Sequence, residues 1–259
     1  MSAASKLLQT MWQLVRDRTR PARRLVAYRI YRWPLEPNLE LDDTVVSYSA
    51  AGEDCVAFAW LRDAGVKPNE IRYLDVGASD PVVLSNTMTM YRNGARGVLV
   101  EPDFIMAENL RSRRPGDVVV NAAVAFDERR VATLIRLNRS AFNTFSEAQA
   151  ERVVAESAGW GVQLSIVGRT KVELIPINEI IEQHLNGVSP HFLSIDAESV
   201  DFEILQSLDF TRFRPWIICI EKSHSLAEFA GFLVTKGYRR ICETPHNGMF
   251  MLDHLPVST

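Results

Sequence analysis

Short apolar runs alternate with helical patterns along most of this chain, and that alternation predicts an α/β fold with an open, mostly parallel sheet and crossover helices. Residues 71–76, 97–100, 118–121, 192–196 and 216–220 read as strands. Residues 86–93, 104–113, 177–185, 202–208 and 226–236 read as helices, with apolar positions returning at helical spacing. The last two runs, 238–242 and 248–252, have only residues 243–247 between them. That is too short for a crossover, so they are expected to pair antiparallel. Residues 125–170 break the rhythm. There a strand-like 131–137 leads into a polar stretch around Asn143, Thr144 and Ser146, then a strand-like 172–175. A helix is expected over 53–64, stopped at Gly65. Pro34, Pro37 and Asn38 mark a boundary near 34–43.

With 259 residues, 47% of them hydrophobic and 24% charged, the chain has the balance of a globular protein. Its formal net charge of −3 gives no reason to expect nucleic acid as a partner. Cys55, Cys219 and Cys242 share no metal-ligand spacing, and a reducing cytoplasm is the expected compartment. No apolar run reaches the roughly 18 to 20 residues that span a bilayer. Charge is uneven, however. Residues 1–33 carry Lys6, Arg16, Arg18, Arg20, Arg23, Arg24, Arg29 and Arg32 against Asp17 alone. With Leu7, Leu8, Met11, Trp12, Leu14 and Val15 at helical spacing, this segment could lie peripherally on an anionic membrane face, pack on the core, or meet a second subunit in a homo-oligomer.

Candidate chemistry gathers where strands end, because ligands of open α/β sheets bind beyond the carboxyl ends of the strands. The first strand runs into Asp75-Val76-Gly77-Ala78-Ser79-Asp80-Pro81. Gly77 lets a ligand approach the backbone closely. The second strand ends in Glu101-Pro102, and a carboxylate there can accept hydrogen bonds from both hydroxyls of a ribose. Asp196 and Glu198 follow the 192–196 strand, and Glu221, Lys222 and His224 follow the 216–220 strand. All should converge above the sheet. His224 is the natural general base on pKa grounds, while Asp196, Glu198 and Glu221 could hold Mg²⁺. Each of these acids could equally bond loop N–H groups, with His224 capping the following helix. His184, His191, His246 and His254 are scattered without ligand spacing and read as structural or exposed.

The runs Tyr73–Ala78, Pro81, Ser85-Asn86-Thr87, Tyr91, Gly94, Arg96-Gly97-Val98, Glu101-Pro102, Arg114-Pro115 and Asn121–Val124 resemble the FkbM family of methyltransferases. So do Asn143-Thr144-Phe145, Phe192–Asp196 with Glu198 and Asp201, Ser207–Phe210, Arg214-Pro215 and Ile218–Glu221. The resemblance covers about residues 70–253, leaving 1–69 as a basic, helical N-terminal extension. It implies a Rossmann-like methyltransferase fold with a seven-stranded sheet, S-adenosylmethionine as methyl donor, and a hydroxyl acceptor on a sugar, glycan or glycosylated metabolite. By the same resemblance Asp75, Gly77 and Ser79 would line the methionine side, Glu101 with Pro102 would hold the ribose, and Asn121 with Ala122 would flank the adenine. Ser85, Asn86 and Thr87 would meet the donor's carboxylate. Asp196 is counted among the donor contacts as well as the catalytic candidates. Asn143, Thr144 and Lys222 are the candidate acceptor contacts, the insertion shaping the acceptor pocket.

Ser199 stands where the family has glycine. That motivates a second reading, a binding or scaffold protein that keeps the fold without turnover. A nicotinamide-dependent oxidoreductase is disfavoured, since the chain lacks both G-x-G-x-x-G and a Tyr-x-x-x-Lys dyad.

Overall fold

The computed structural model describes residues 46–197, 200–222 and 225–255. The expectations placed on residues 1–33, the boundary at 34–43, Glu198, Ser199 and His224 lie outside the described residues. Contacts divide the described chain into two units, residues 46–132 with 171–255, and residues 133–170.

The elements follow in chain order as α1 (Glu53–Asp63), β1 (Arg72–Val76), α2 (Met88–Arg92), β2 (Arg96–Val100), α3 (Phe104–Arg113), β3 (Val118–Val120) and β4 (Ala123–Ala125). Then come β5 (Val131–Leu137), α4 (Glu147–Ser157), β6 (Ile166–Pro176), α5 (Ile177–His184), β7 (Phe192–Ile195) and α6 (Asp201–Ser207). The chain closes with β8 (Ile217–Glu221), α7 (Leu226–Thr235), β9 (Tyr238–Glu243) and β10 (Asn247–Leu252).

The larger unit is built on a seven-stranded sheet in the order β3-β2-β1-β7-β8-β10-β9. β1 pairs parallel with β2 and with β7, and β2 and β7 extend the parallel run to β3 and β8. β10 is antiparallel to both β8 and β9, so the closing hairpin inserts its second strand between β8 and its own first strand. This is the mostly parallel, Rossmann-like sheet that the alternating pattern implied.

The strand runs are apolar almost throughout because both faces are covered. Leu74, Val76, Val98, Leu193, Ile195, Ile218 and Ile220 pack against Ile177 and Ile181 of α5, Ile204 and Leu205 of α6, and Phe229 and Leu233 of α7. On the other face Tyr73, Leu99, Phe192, Cys219 and Met249 meet Phe58 and Leu61 of α1, Met90 of α2 and Leu110 of α3. Each fully buried aliphatic side chain contributes about 1.5 to 3 kcal/mol, so these two layers dominate the stability of the unit. α1, which the extent of the family resemblance left in the N-terminal extension, is therefore part of this core.

Asp54, one residue into α1, explains how the chain before it is held. Its carboxylate accepts from Ser47 Oγ at 2.6 Å, Tyr48 N–H at 2.7 Å and Ser49 Oγ at 2.8 Å, and also from Thr89 Oγ1 of α2. At the opposite end of the sheet from the strand carboxyl termini, His191 Nδ1 accepts the Arg72 N–H at 3.0 Å, and its ring meets Trp216 edge-on. Burial pushes the His191 pKa down to about 4, so it is a neutral structural group.

Residues 133–170 have their own apolar cluster of Ile135, Leu137, Ala150, Val153, Val162 and Leu164. α4 was not expected from the polar stretch. Ser146 caps it by accepting the Gln149 N–H at 3.3 Å, and Ala150 and Val153 supply the buried face. Among the described residues no helix is long and apolar enough to cross a membrane.

Candidate active site

The carboxyl ends of β1, β2, β3, β7 and β8 share one edge of the sheet, and of the residues singled out by the strand-end argument Asp75, Gly77, Glu101, Asp196 and Glu221 lie along it. Gly77 follows β1 with φ +80°, and its N–H donates to Val100 O at 2.9 Å. A β-carbon at this position would lie 1.8 Å from the Asp196 carbonyl oxygen. Only glycine lets the ends of β1 and β7 come this close. The loop onward to α2 contains two further left-handed residues, Ser79 at φ +48° and Leu84 at φ +62°. Such backbone costs about 1 to 3 kcal/mol per non-glycine residue and clusters at functional sites. Asp80 steadies the loop by accepting the Val82 and Val83 N–H groups at 2.9 and 2.8 Å.

Glu101 ends β2 and is 6% exposed. Its two carboxylate oxygens accept from Ser79 N–H at 2.9 Å and Asp103 N–H at 2.8 Å. Burial nevertheless raises its pKa to about 7, because those two bonds do not offset lost hydration and the nearby Asp103 and Asp75 charges add to the rise. Each oxygen still has a second lone pair with which to accept a hydroxyl. Asn121, after β3, braces this corner: its Nδ2 donates to Glu101 O at 2.9 Å and Pro102 O at 3.2 Å, beside the buried Ala122.

Asp75 lies beneath the Gly77 turn in a buried polar cluster. Its Oδ2 accepts Thr87 Oγ1 at 2.7 Å, and the Ser194 hydroxyl is near enough to favour the carboxylate. Burial raises its pKa, opposed by Thr87, Arg114 and Ser194. Arg114, fully buried, reaches Thr87 Oγ1 at 3.0 Å, Ser85 Oγ at 3.3 Å, Tyr73 Oη at 2.8 Å and Asp117 at 2.8 Å. Gly97 makes room for this arrangement, since a β-carbon there would strike the Tyr73 ring at 2.1 Å. Asn86 Nδ2 donates to Ser194 Oγ at 3.1 Å, leaving Oδ1 buried without a partner. α2 spans five residues, too short for its N-terminus alone to hold an anion.

The acids at the ends of β7 and β8 complete the edge. Asp196 is half-buried, and its pKa is pushed well above the usual range by lost hydration and by Glu221, Asp201, Asp75 and Glu53. Asp201 accepts the Ala197 N–H at 2.7 Å and so holds the chain leaving β7. Glu53 accepts from Thr244 Oγ1 at 2.6 Å and Asn247 Nδ2 at 2.9 Å. Burial acts upward on it, but these bonds and backbone N–H groups outweigh that and leave its pKa lowered. A surplus of carboxyls in a low-dielectric corner favours a cationic ligand group and gives raised-pKa carboxyls suited to taking a proton. Among the described residues no cluster of three or more His, Cys, Asp and Glu is placed to hold a metal ion. Of the three acids expected to bind Mg²⁺, Asp196 and Glu221 are near each other and Glu198 is outside the description.

The acceptor candidates are placed differently. Lys222 Nζ bonds Glu243 Oε1 at 3.2 Å. In the 133–170 unit, Asn143 Oδ1 accepts the Leu137 N–H at 2.9 Å, and Thr144 Oγ1 accepts the Ser146 N–H at 3.2 Å. Sequence reasoning assigned no role to Ser194, Arg114, Tyr73 or Asp117. Ser194 had a local signal, as a polar residue inside the otherwise apolar run Phe192–Ile195. Arg114 was picked out by the resemblance through Arg114-Pro115 but given no role, because nothing local distinguishes a buried arginine from the exposed ones at the end of α3.

The described geometry agrees with the comparisons. Residues 75–250 match the model of the methyltransferase FkbM domain. No curated protein sequence matches the chain. Among solved structures, a methyltransferase FkbM from Methylobacillus flagellatus KT is similar at 14% identity and a TM-score of 0.44, covering 71% of this chain and 44% of that one. The chain thus spans less than half the length of that structure. An O-methyltransferase from Bacillus cereus in complex with SAH is similar at 11% identity and a TM-score of 0.41, covering 80% of this chain and 83% of that one. A TehB-like SAM-dependent methyltransferase from Corynebacterium glutamicum is similar at 10% identity and a TM-score of 0.39, covering 79% and 89%. Since the matched domain reaches from Asp75 at the end of β1 to Phe250 in β10, the chain belongs to the FkbM methyltransferase family.

Proposed function

We propose that this protein transfers the methyl group of S-adenosylmethionine to a hydroxyl of a sugar, glycan or glycosylated metabolite. The observation that carries the donor reading is Glu101, a buried carboxylate at the end of β2 whose oxygens are fixed by Ser79 and Asp103 N–H groups and retain capacity for two ribose hydroxyls. Asp75 and Asp196 make the neighbouring corner one that favours positive charge, which suits a sulfonium donor with an ammonium tail. The orphaned Asn86 Oδ1 fits the same group, as a buried acceptor awaiting a donor.

The bound donor supplies an electrophilic methyl carbon, and the protein's share is to position and to move one proton. The Gly77 turn and Glu101 hold the donor against the sheet, so that the acceptor oxygen can be brought in line at about 3 to 3.5 Å. An alcohol must lose its proton as the new bond forms. Asp196 and Glu221, at the ends of β7 and β8, are the described carboxyls able to accept it. Asp196, raised in the free protein, ionises more readily beside a bound cation, which prepares it as a base.

Calorimetry with S-adenosylhomocysteine tests the donor half. Binding in the micromolar range is expected, with a melting temperature that rises with ligand, since about 100 Kd of ligand adds about 2.7 kcal/mol. Absence of heat at millimolar ligand would remove the reading. The acceptor half is tested by transfer of labelled methyl to a panel of sugars and glycosides against carboxylate and amine acceptors. Label entering only the latter would overturn O-methylation.

A further inference from the structure

Opposite the strand carboxyl ends, the amino-terminal edge of the seven-stranded sheet carries a row of arginines that can be followed from contact to contact. Arg72 and Arg96 open β1 and β2 and are partners in register. Arg96 lies over the Tyr91 ring at 4.6 Å and across Gly116, where a β-carbon would meet its Nε at 2.3 Å. That places it beside the chain that leaves α3 at Arg113. On the other side the His191 N–H donates to Arg72 O at 2.8 Å, and His191 O accepts the Ile217 N–H at 2.9 Å. Arg214, just before β8, donates its N–H to Ser189 Oγ at 2.8 Å and its guanidinium to Lys236 O at 2.9 Å. Arg72, Arg96, Arg113 and Arg214 are exposed, and among the described residues no acid pairs with any of the four. The acids at this end are already met: Glu70 by Lys67 at 3.1 Å, Glu182 by Arg212, and Asp209 by Thr211 at 2.6 Å. Asp63 and Asp253 share a cleft beside β9 with Arg239. A cation suits the C-terminus of a helix, which accounts for Arg113. Arg72, Arg96 and Arg214 precede strands and answer to no helix end, and like charges on paired strands cost stability.

We propose that this edge is a docking surface for an anionic lipid bilayer, on which Arg113, Arg96, Arg72 and Arg214 rest while β1, β2, β7 and β8 point away from it. Charge complementarity supplies the attraction, about five-fold in affinity for each cation close to an anionic membrane surface. Apolar surface mixed into the row favours a bilayer over a nucleic acid. Trp216, half-buried, follows Arg214 by two residues and meets the His191 ring edge-on. Val188 is 40% exposed next to Ser189, and Trp60 is 37% exposed with Arg239 over its ring at 5.7 Å. Indole rings, and arginines with apolar stems and charged tips, both suit the boundary between headgroups and acyl chains. The net charge of −3 conceals this division of charge, as it does the surplus of Lys6 and seven arginines over Asp17 in residues 1–33. Strands of four and five residues, about 16 Å, separate this edge from Gly77, Glu101 and Asp196. A protein seated this way opens its strand carboxyl ends to water, so its acceptor is met in solution and not within the bilayer. The inference stands apart from the donor reading.

Sedimentation of the full chain with phosphatidylcholine vesicles, with and without about one third phosphatidylglycerol, reads the docking. Binding to the anionic vesicles is expected to be at least about 10-fold tighter than to the neutral ones, and to weaken as salt screens the attraction. The triple variant Arg72→Gln, Arg96→Gln, Arg214→Gln should lose at least about 20-fold of that affinity while keeping the wild-type circular dichroism spectrum. Should the variant fail to fold, a polarity-sensitive dye on one introduced cysteine decides, in a Cys242→Ser background whose remaining Cys55 and Cys219 are buried. Dye attached through Val188→Cys should brighten and shift to the blue on anionic vesicles. Dye attached through Val83→Cys, on the 50% exposed loop position after the Gly77 turn, should not respond. Equal sedimentation with both kinds of vesicle, undiminished binding by the folded triple variant, or a response through Val83→Cys in place of Val188→Cys would overturn the inference. So would duplex DNA that displaces the protein from the vesicles at equal phosphate concentration, since the row would then serve a nucleic acid.

Discussion

Gly77 is where a single missing atom matters most. Gly77→Ala would place a β-carbon against the Asp196 carbonyl at 1.8 Å on a backbone with φ +80°. Both strains fall on backbone that cannot rotate away, so a loss of about 2 to 4 kcal/mol is expected in urea denaturation, together with loss of donor binding. Glu101 offers a test by pH. Its folded pKa of about 7 lies above its ordinary 4.5, so the folded state holds the proton more tightly than the unfolded chain. The contribution is full below about 4.5 and is lost as pH rises through about 7. Glu101→Gln should therefore gain stability relative to wild type between pH 5 and pH 8, read as the difference between paired urea curves; a constant difference would refute the assignment. Ribose hydroxyls prefer the ionised carboxylate, so wild-type affinity for S-adenosylhomocysteine should rise over the same interval, and Glu101→Gln should be weaker and flat. Both residues were legible as candidates because each directly follows an apolar run that ends a strand. Ser194, Arg114 and the orientation of Asn86 were not, since their meaning lies in partners as far away as 108 positions.

At the scale of elements, the strands of the seven-stranded sheet were read within a residue of their bounds because a strand covered on both faces must be apolar at consecutive positions, whereas β6 starts six residues before the expected 172 and β4 was not expected. β1 and β2 shifted by one residue at the start, β8 by one residue at both ends, and α3 and β5 kept the expected bounds. α4 escaped because its buried face is mostly Ala150 and Val153, too small and sparse to stand out in a polar stretch. α1 was recognised as a helix yet assigned to the extension, because a helical pattern shows that a face is buried and not what buries it. The anchor that ties α1 to its surroundings is also nonlocal. Asp54 gathers Ser47, Tyr48, Ser49 and Thr89 on one carboxylate, joining the preceding turn, α1 and α2. Asp54→Ala removes the acceptor shared by these donors, of which Thr89 is buried and keeps Val46 O, and a loss of about 1 to 3 kcal/mol is expected, with protease cleavage appearing near residues 46–49 under native conditions. A loss under about 0.5 kcal/mol would show that the turn is held by other means.

For the molecule as a whole, the division into units gives the last prediction. Asn138 and Ser165 exchange bonds, Asn138 N–H to Ser165 O at 3.0 Å and Ser165 N–H to Asn138 Oδ1 at 3.2 Å, so the chain enters and leaves the smaller unit at one point. Its apolar cluster shares no residue with the two clusters that flank the sheet. Replacing residues 139–164 by a short glycine-serine linker, with Ile135→Thr and Leu137→Thr to remove exposed apolar surface, should leave the affinity for S-adenosylhomocysteine within about 2-fold of wild type. Loss of the folded sheet by circular dichroism would show that the units depend on each other. The sequence alone determined that this is an α/β chain, which runs are strands, that the last two pair antiparallel, and that an acid follows the second strand, because each of these is written in the local period and spacing of side chains. Only the tertiary structure decided that β10 enters between β8 and β9, that α1 joins the core, and that Arg114 is buried among Tyr73, Ser85, Thr87 and Asp117. Such features depend on which distant residues meet, and burial makes every unmatched donor or acceptor there count in a way that no local pattern records.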